Sequence, residues 1–92
     1  MYSFVACFDI TDDRIRRMVS RRLEHFGMRV QRSVFEISVK SPVQLLHLKS
    51  ELNDWIEPGD DIRFYSLCAG CRKKSTDSAD KRIAEFPASV VI

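Results

Sequence analysis

Long hydrophobic runs are absent from this 92-residue sequence, and glycine and cysteine occur only three times each. No stretch approaches the roughly 20 apolar residues that a membrane-spanning helix needs, so no membrane partner is expected. The amino terminus lacks a basic segment followed by an apolar run and a small-residue cleavage site, so we expect no signal peptide. Three cysteines are an odd number and a poor disulfide framework, which predicts a reducing, cytoplasmic location.

Several common catalytic and metal-binding patterns are also missing. No Ser-His-Asp or Cys-His spacing signature is evident, and no glycine-rich phosphate-binding loop occurs. Cys68 and Cys71 form one C-x₂-C pair without a second pair, whereas a structural zinc site normally needs four ligands. We therefore predict two ordinary thiols near a strand end, and we favour this interpretation over a zinc site or a redox role.

The composition that is present fits one small domain. At 10.7 kDa, with 45% hydrophobic residues and six phenylalanines, the chain can form a core of its own. That core is modest, so burial of further surface in a homodimer would be a natural supplement.

Charge is distributed unevenly although the net charge is only +2. Seven arginines and one acid lie between Arg14 and Arg32, and residues 72–82 carry five bases and two acids. Between Glu51 and Asp61 there are five acids and no base. Such asymmetry favours binding of a polyanion on one side of the molecule. A solvated arginine-rich helix face would explain the same charges.

Hydrophobic patterning predicts two helices between short strands. Tyr2–Asp9 is a nearly continuous apolar run, typical of a buried strand. Thr11 or Asp12 can cap the helix that follows, and Gly27 would end it with a positive φ. Ser41, followed by Pro42 and Gln44, marks the start of the second helix, which ends at Pro58-Gly59.

The β-rich residues 28–39 change their alternation around Gln31–Ser33. A bulge or tight turn there would give two short strands or one sharply bent strand. Residues 61–67 form a further strand. Counting two strands at the break, the order is βαββαβ, which predicts an α+β, ferredoxin-like sandwich over residues 1–68. Residues 69–92 are interpreted as a basic linker and an additional carboxyl-terminal strand, Ser89–Ile92, packing on a dimer.

Asp9 is the first candidate for a functional site. A carboxylate at the end of an apolar strand is costly when buried and useful when it faces a cleft, although a helix or turn cap is the commoner role. One carboxylate supplies few of the ligands that Mg²⁺ needs, since the ion usually takes one or two carboxylates besides water and phosphate. Twofold symmetry would supply a second Asp9.

Three segments together resemble the small CRISPR-associated adaptation proteins of the Cas-two family, which are described as metal-dependent endonucleases. They are FDITDD at residues 8–13, RxxVxxxLxxxG-x-RVQ-x-SVFE ending at Glu36, and IRFYSLC at 62–68. The resemblance covers residues 1–68 well and the remaining residues more loosely. RVQRSVFE is its most specific part.

The resemblance implies a ferredoxin-like protomer, a symmetric homodimer, and a carboxyl-terminal strand that completes a sheet across the subunits. It further implies that the two copies of Asp9 face each other across a cleft and bind Mg²⁺, with Mn²⁺ as the alternative ion. Phe8 departs from the tyrosine usual before this aspartate, which predicts weak or absent cleavage if that hydroxyl orients water or phosphate. The positions that match residues implicated in family activity are Arg16, Arg29, Ser33 and Phe35.

The function implied by the resemblance is spacer acquisition in CRISPR adaptation. The homodimer would bind duplex DNA and bridge two dimers of the CRISPR integrase. Cleavage of single-stranded RNA or double-stranded DNA is a second implied activity. A toxin-like ribonuclease of similar fold is the alternative from a different functional class.

Overall fold

The computed structural model describes residues 1–85, in which four strands form one antiparallel sheet of order β2-β3-β1-β4. This is the predicted α+β, ferredoxin-like arrangement. The predicted strand Ser89–Ile92 lies outside the described residues. The elements are β1 (Tyr2–Asp9), α1 (Asp13–Glu24), β2 (Gly27–Gln31), β3 (Val34–Val39), α2 (Pro42–Trp55), β4 (Asp61–Leu67) and α3 (Ala69–Lys74).

The hydrophobic core lies between one face of the sheet and the two longer helices. Strand residues alternate between the two faces, so Ala6 and Phe8 of β1 face the helices. Val5, Cys7 and Asp9 face the other way, onto what we call the open face of the sheet. The core residues are Ala6, Phe8, Ile10, Val19, Leu23, Phe26, Phe35, Ile37, Val39, Leu45, Leu48 and Leu52.

Both longer helices begin with the caps that the sequence predicts. Asp12 caps α1, where its Oδ1 accepts a hydrogen bond from the backbone N–H of Ile15 at 3.0 Å. Ser41 caps α2 and accepts from the backbone N–H of Gln44 at 3.1 Å. These bonds satisfy amide groups that the first helical turn leaves without a partner.

No helix within residues 1–85 has the length and apolar character needed to cross a membrane.

The predicted break in the second β segment is a tight hairpin. Gln31 pairs with Val34, which leaves Arg32 and Ser33 as a two-residue turn between β2 and β3. The register also shifts between Arg29 and Gln31, so an irregularity accompanies the turn. Both features explain why the apolar residues of this segment occupy even-numbered positions before the turn and mainly odd-numbered positions after it.

Gly27 does not end helix α1 with a positive φ, and that prediction is wrong. The helix ends at Glu24 with His25 as its cap, whereas Gly27 is the first residue of β2. A Cβ atom at this position would overlap the carbonyl oxygen of Glu36 and lie 2.7 Å from the Cα of Ile37. Glycine is needed here because two backbones approach closely.

Residues 69–85, predicted from the sequence to belong to a basic linker, contain a short helix and a segment that packs on the sheet. Residues 69–74 form helix α3, and Arg72 Nε donates a hydrogen bond to the carbonyl oxygen of Ala84 at 3.3 Å. Residues 75–85, here termed the carboxyl segment, turn back across the open face. Ala84 is buried there, and its backbone N–H bonds to the carboxylate of Glu36.

Candidate nucleic-acid interface

Asp9 is the last residue of β1 and is exposed on the open face of the sheet. Its cross-strand partner is Asp61, the first residue of β4. Paired residues on neighbouring strands have Cβ atoms about 5 Å apart, so two carboxylates lie side by side. The Asp61 carboxylate accepts a hydrogen bond from Arg63 Nε at 2.7 Å. Within residues 1–85, the carboxylate of Asp9 has neither a hydrogen-bond partner nor an ion-pair partner.

The oxygen donors near Asp9 are too few for a metal held by protein ligands alone, but they suit a Mg²⁺ ion that keeps most of its water ligands. Mg²⁺ usually retains several water molecules and takes one or two carboxylates, which Asp9 and Asp61 can provide. Nowhere in the described part of the chain do three or more His, Cys, Asp or Glu side chains gather as a metal site. A four-ligand zinc centre within the described part of one protomer therefore has no donor set here.

A cleft of about 430 Å³ lies on the helix-bearing side of the molecule, between α1 and the β2–β3 hairpin. Five of its lining residues are arginines and two are acids, so its net charge is positive. A cationic concave surface attracts phosphate groups. We call this cleft the arginine groove, and it is lined by Phe8, Asp13, Arg16, Arg17, Ser20, Arg21, Glu24, Arg29 and Arg32.

Arg16, a predicted site residue, is occupied by contacts within the protein. Its Nη1 donates hydrogen bonds to the backbone oxygens of Ile10, at 2.9 Å, and Thr11, at 3.3 Å. Its Nη2 forms an ion pair with Asp13. The guanidinium therefore braces the loop that directly follows Asp9, which gives Arg16 a positioning role in the structure.

Arg29, Ser33 and Phe35, also predicted site residues, lie together near Phe8. Phe35 is fully buried and stacks on Phe8, with ring centroids 6.1 Å apart, while the Arg29 guanidinium lies 5.9 Å from the Phe35 centroid. The carbonyl oxygen of Ser33 accepts a hydrogen bond from the backbone N–H of Phe8 at 3.1 Å. This cluster ties the hairpin to the strand end that carries Asp9.

The predicted site residues therefore fall into two groups rather than one. Arg16 and Arg29 line the arginine groove with Phe8, whereas strand alternation places Asp9 on the opposite face of β1. Phe35 lies beneath the groove and supports Arg29. Full burial leaves the Phe35 ring without access to a nucleic acid.

Three further groove arginines were not singled out as site residues from the sequence. Arg17, Arg21 and Arg32 are exposed, and within residues 1–85 they have no hydrogen-bond or ion-pair partner for their guanidinium groups. The available signal was the i, i+4 spacing of Arg17 and Arg21, which places both on one face of α1. Only the hairpin fold brings Arg32 beside them.

Comparison with known proteins identifies the family. Residues 1–75 match the model for CRISPR associated protein Cas2. The chain is 39% identical to the CRISPR-associated endoribonuclease Cas2 2 of Methanospirillum hungatei over 84% of this chain and 85% of that protein. It superposes on a chain of a partial Cas6-RT-Cas1–Cas2 complex with TM-score 0.85 and 38% identity, covering 96% of both chains.

A second solved structure agrees with this assignment. Streptococcus pyogenes Cas2, in a crystal structure at pH 6.5, matches with TM-score 0.73 and 28% identity, over 82% of this chain and 96% of that chain. The resemblance first seen in FDITDD and RVQRSVFE is thus confirmed by a match that extends through β4 and into α3. From these matches and the fold, the chain belongs to the CRISPR associated protein Cas2 family.

Proposed function

We propose that this chain serves CRISPR adaptation as a DNA-binding subunit whose arginine groove holds phosphates of duplex DNA. The observation that carries the proposal is the set of exposed guanidinium groups of Arg17, Arg21 and Arg32 in one groove. Arginine contacts to phosphate position DNA without reading its sequence, as capture of diverse DNA fragments requires. The basic residues of segment 72–82 add positive charge outside the groove.

The integrase partner is proposed because the fold matches a chain from a complex that contains Cas1. A homodimer is proposed because large apolar side chains, including Tyr65 and Met28, are about half exposed on the open face of the sheet. Packing two copies through this face would remove that apolar surface from water. It would also bring two Asp9–Asp61 pairs into one assembly.

The DNA proposal is tested by the salt dependence of binding to a duplex, measured with the integrase present. Each phosphate neutralised by an arginine releases counterions, so the slope of log K against log salt falls by about one when that contact is lost. We expect this change in Arg17→Gln and in Arg21→Gln. Lys40→Gln is the matched control, because it removes one exposed positive charge outside the groove.

Two outcomes would contradict DNA binding by the groove. One is a duplex affinity that does not depend on salt in the wild type. The other is an equal loss of slope in Lys40→Gln and Arg17→Gln, which would indicate a general effect of net charge.

We propose a second activity, metal-dependent phosphodiester cleavage, on the basis of the exposed Asp9 carboxylate beside Asp61. A bound Mg²⁺ would supply a Lewis acid and an activated water at this site. Asp9 would hold the ion, and Arg63 would keep the neighbouring Asp61 carboxylate oriented. Phe8 carries no hydroxyl group, so its ring contributes packing to this region and no proton-transfer group.

Cleavage is tested with single-stranded RNA and double-stranded DNA in the presence of Mg²⁺, Mn²⁺ or EDTA. We expect metal-dependent cleavage by the wild type and none by Asp9→Asn, with duplex binding unchanged in that variant. Asp54→Asn, an exposed aspartate of α2, is the matched control. Cleavage that persists in Asp9→Asn would exclude Asp9 as the metal-holding residue.

A further inference from the structure

Two thiols meet where β4 passes into α3, away from the arginine groove and from Asp9. Cys68 is the cap of α3 and Cys71 lies in its first turn, so the helix places both side chains on one side. Their Sγ atoms are 3.2 Å apart, and both residues are exposed. A disulfide bond is about 2.05 Å long, so the sulfur atoms need to approach each other by only about 1 Å.

The two thiols are not equivalent. The Cys68 Sγ accepts a hydrogen bond from the backbone N–H of Cys71 at 3.3 Å. This bond, together with the Cys71 thiol, stabilises the Cys68 thiolate and lowers its pKa. The contact with Cys68 in turn raises the pKa of Cys71. The thiolate is the reactive form, so Cys68 is the attacking residue and Cys71 the resolving residue.

We propose that Cys68 and Cys71 form a reversible dithiol–disulfide site that exchanges with small anionic disulfides of the glutathione type. The Cys68 thiolate attacks one sulfur of the small disulfide, forming a mixed disulfide and releasing one small thiolate, which takes up a proton. The Cys71 thiol then loses its proton and attacks Cys68 Sγ, which expels the second small thiol. The protein pair loses two electrons and two protons, and the small disulfide becomes two thiols.

The surroundings of the pair favour this class of reactant. Arg72, Lys73 and Lys74 follow directly in α3, and their positive charges attract an anionic disulfide. Cys7 differs in burial and in partner, because it is half-buried within β1 and has no second thiol beside it within residues 1–85. The proposal concerns a modification site and does not depend on DNA binding or cleavage.

The test uses the full, reduced chain treated with oxidised glutathione near neutral pH, quenched with acid, alkylated and mapped by peptide mass. In the wild type we expect an internal Cys68–Cys71 disulfide that dithiothreitol reverses, with Cys7 recovered in alkylated form. In Cys71→Ser the resolving step is missing, so a stable glutathione adduct should accumulate on Cys68. In Cys68→Ser, reaction at Cys71 should be slower than the reaction of Cys68 in Cys71→Ser, because only the Cys68 Sγ accepts a hydrogen bond from the first-turn backbone N–H.

Cys7→Ser is the control and should react as the wild type does. The proposal is overturned if the wild type retains a glutathione adduct without the internal disulfide, or if disulfides join two chains instead. Equal reaction rates of Cys68→Ser and Cys71→Ser would overturn the assigned roles. The wild-type result is decisive by itself, so a variant that fails to fold leaves the test intact.

Discussion

Phe35 connects the β2–β3 hairpin to β1 by packing against Phe8. Its ring is fully buried, stacks on Phe8 and lies beneath the Arg29 guanidinium. The family resemblance implies a role for Phe35 in activity, yet the residue lies in the core. Both can hold if Phe35 acts by packing against groove residues. The ring packs under the guanidinium of Arg29, which also donates a hydrogen bond to the carbonyl oxygen of Arg32 at 2.7 Å, and it contacts no ligand itself.

We predict that Phe35→Ala lowers the free energy of unfolding by about 3–5 kcal/mol, because it leaves a cavity in a fully packed site. Urea denaturation measures this change. Val43→Ala is the control, since Val43 is 56% exposed and its truncation should alter stability by less than about 1 kcal/mol. A loss equally small for Phe35→Ala would show that the ring does not support the fold.

Glu36 provides a test of pH dependence at the scale of one residue. Burial under the carboxyl segment raises its pKa, while the backbone N–H of Ala84 opposes part of that shift. A carboxyl group with a raised pKa in the folded state binds its proton more tightly there than in the unfolded chain. Stability from this group therefore falls as the pH rises through its titration range, and the charged form is a net cost at neutral pH.

We predict that Glu36→Gln has a higher melting temperature than the wild type at neutral pH, because the amide keeps an acceptor for Ala84 without the buried charge. The advantage should shrink as the pH falls through the titration range of Glu36. Differential scanning calorimetry across that range measures it. Glu57→Gln, an exposed carboxylate, should show no such trend, and a pH-independent advantage for Glu36→Gln would refute the linkage.

At the scale of elements, Gly27 limits how closely β2 and β3 can approach, because it pairs with Ile37 at the first position of β2. A Cβ atom there would meet the Glu36 carbonyl group, and a backbone atom of a paired strand cannot rotate away as a flexible side chain can. We predict that Gly27→Ala lowers the free energy of unfolding by about 3 kcal/mol, near the upper end for overpacking.

Gly70→Ala is the matched control for Gly27→Ala. A Cβ atom at Gly70 would lie 3.8 Å from the Cys68 Sγ, an ordinary contact, and alanine is the better helix former. The control should stay within about 1 kcal/mol of the wild type in the same denaturation experiment. Comparable losses in the two variants would contradict the packing explanation.

The sequence predicts some elements well because their signals are local. The change in apolar alternation around Gln31–Ser33 predicts the hairpin, and Ser41-Pro42 predicts the start of α2. Helix α3 escapes prediction, since its six residues carry no apolar stripe, its cap is the cysteine Cys68, and part of its support is the distant carbonyl of Ala84.

The candidate site shows the same division between local and long-range signals. Asp9 can be proposed from its position at a strand end, and charge counting points to the arginines of α1. That Arg32 joins Arg17 and Arg21 depends on how the hairpin packs against α1, which no spacing in the sequence encodes. The role of Gly27 is not encoded locally either, because a close approach of two strands is a tertiary contact.

At the scale of the whole molecule, the open face of the sheet is the surface through which we propose that two copies pack as a homodimer. The carboxyl segment covers Glu36 on this face, while Tyr65 of β4 remains 52% exposed. Tyrosine side chains at the centre of interfaces often contribute 2 kcal/mol or more to binding. Tyr65 is therefore a sensitive position for testing whether two copies associate through the open face.

We predict that the wild type sediments as a dimer and that Tyr65→Glu raises its dissociation constant by roughly tenfold or more. Sedimentation equilibrium over a concentration series measures both. Tyr2→Glu, which changes another half-exposed tyrosine at the start of β1, is the control and should remain dimeric. A monomeric wild type would remove the basis for pairing two Asp9 sites.

The placement of Asp9 and the arginine groove on opposite faces of β1 has a consequence for how such a protein can diverge. Asp9 does not line the groove, and the exposed arginines Arg17, Arg21 and Arg32 have no contact with Asp9 within residues 1–85, so a substitution at Asp9 can leave those three guanidinium groups in place. Under the two proposed activities, evolution could therefore remove cleavage at Asp9 and preserve polyanion binding in the groove. Under the same proposals, one substitution at position 9 would leave a protein that binds DNA without cleaving it.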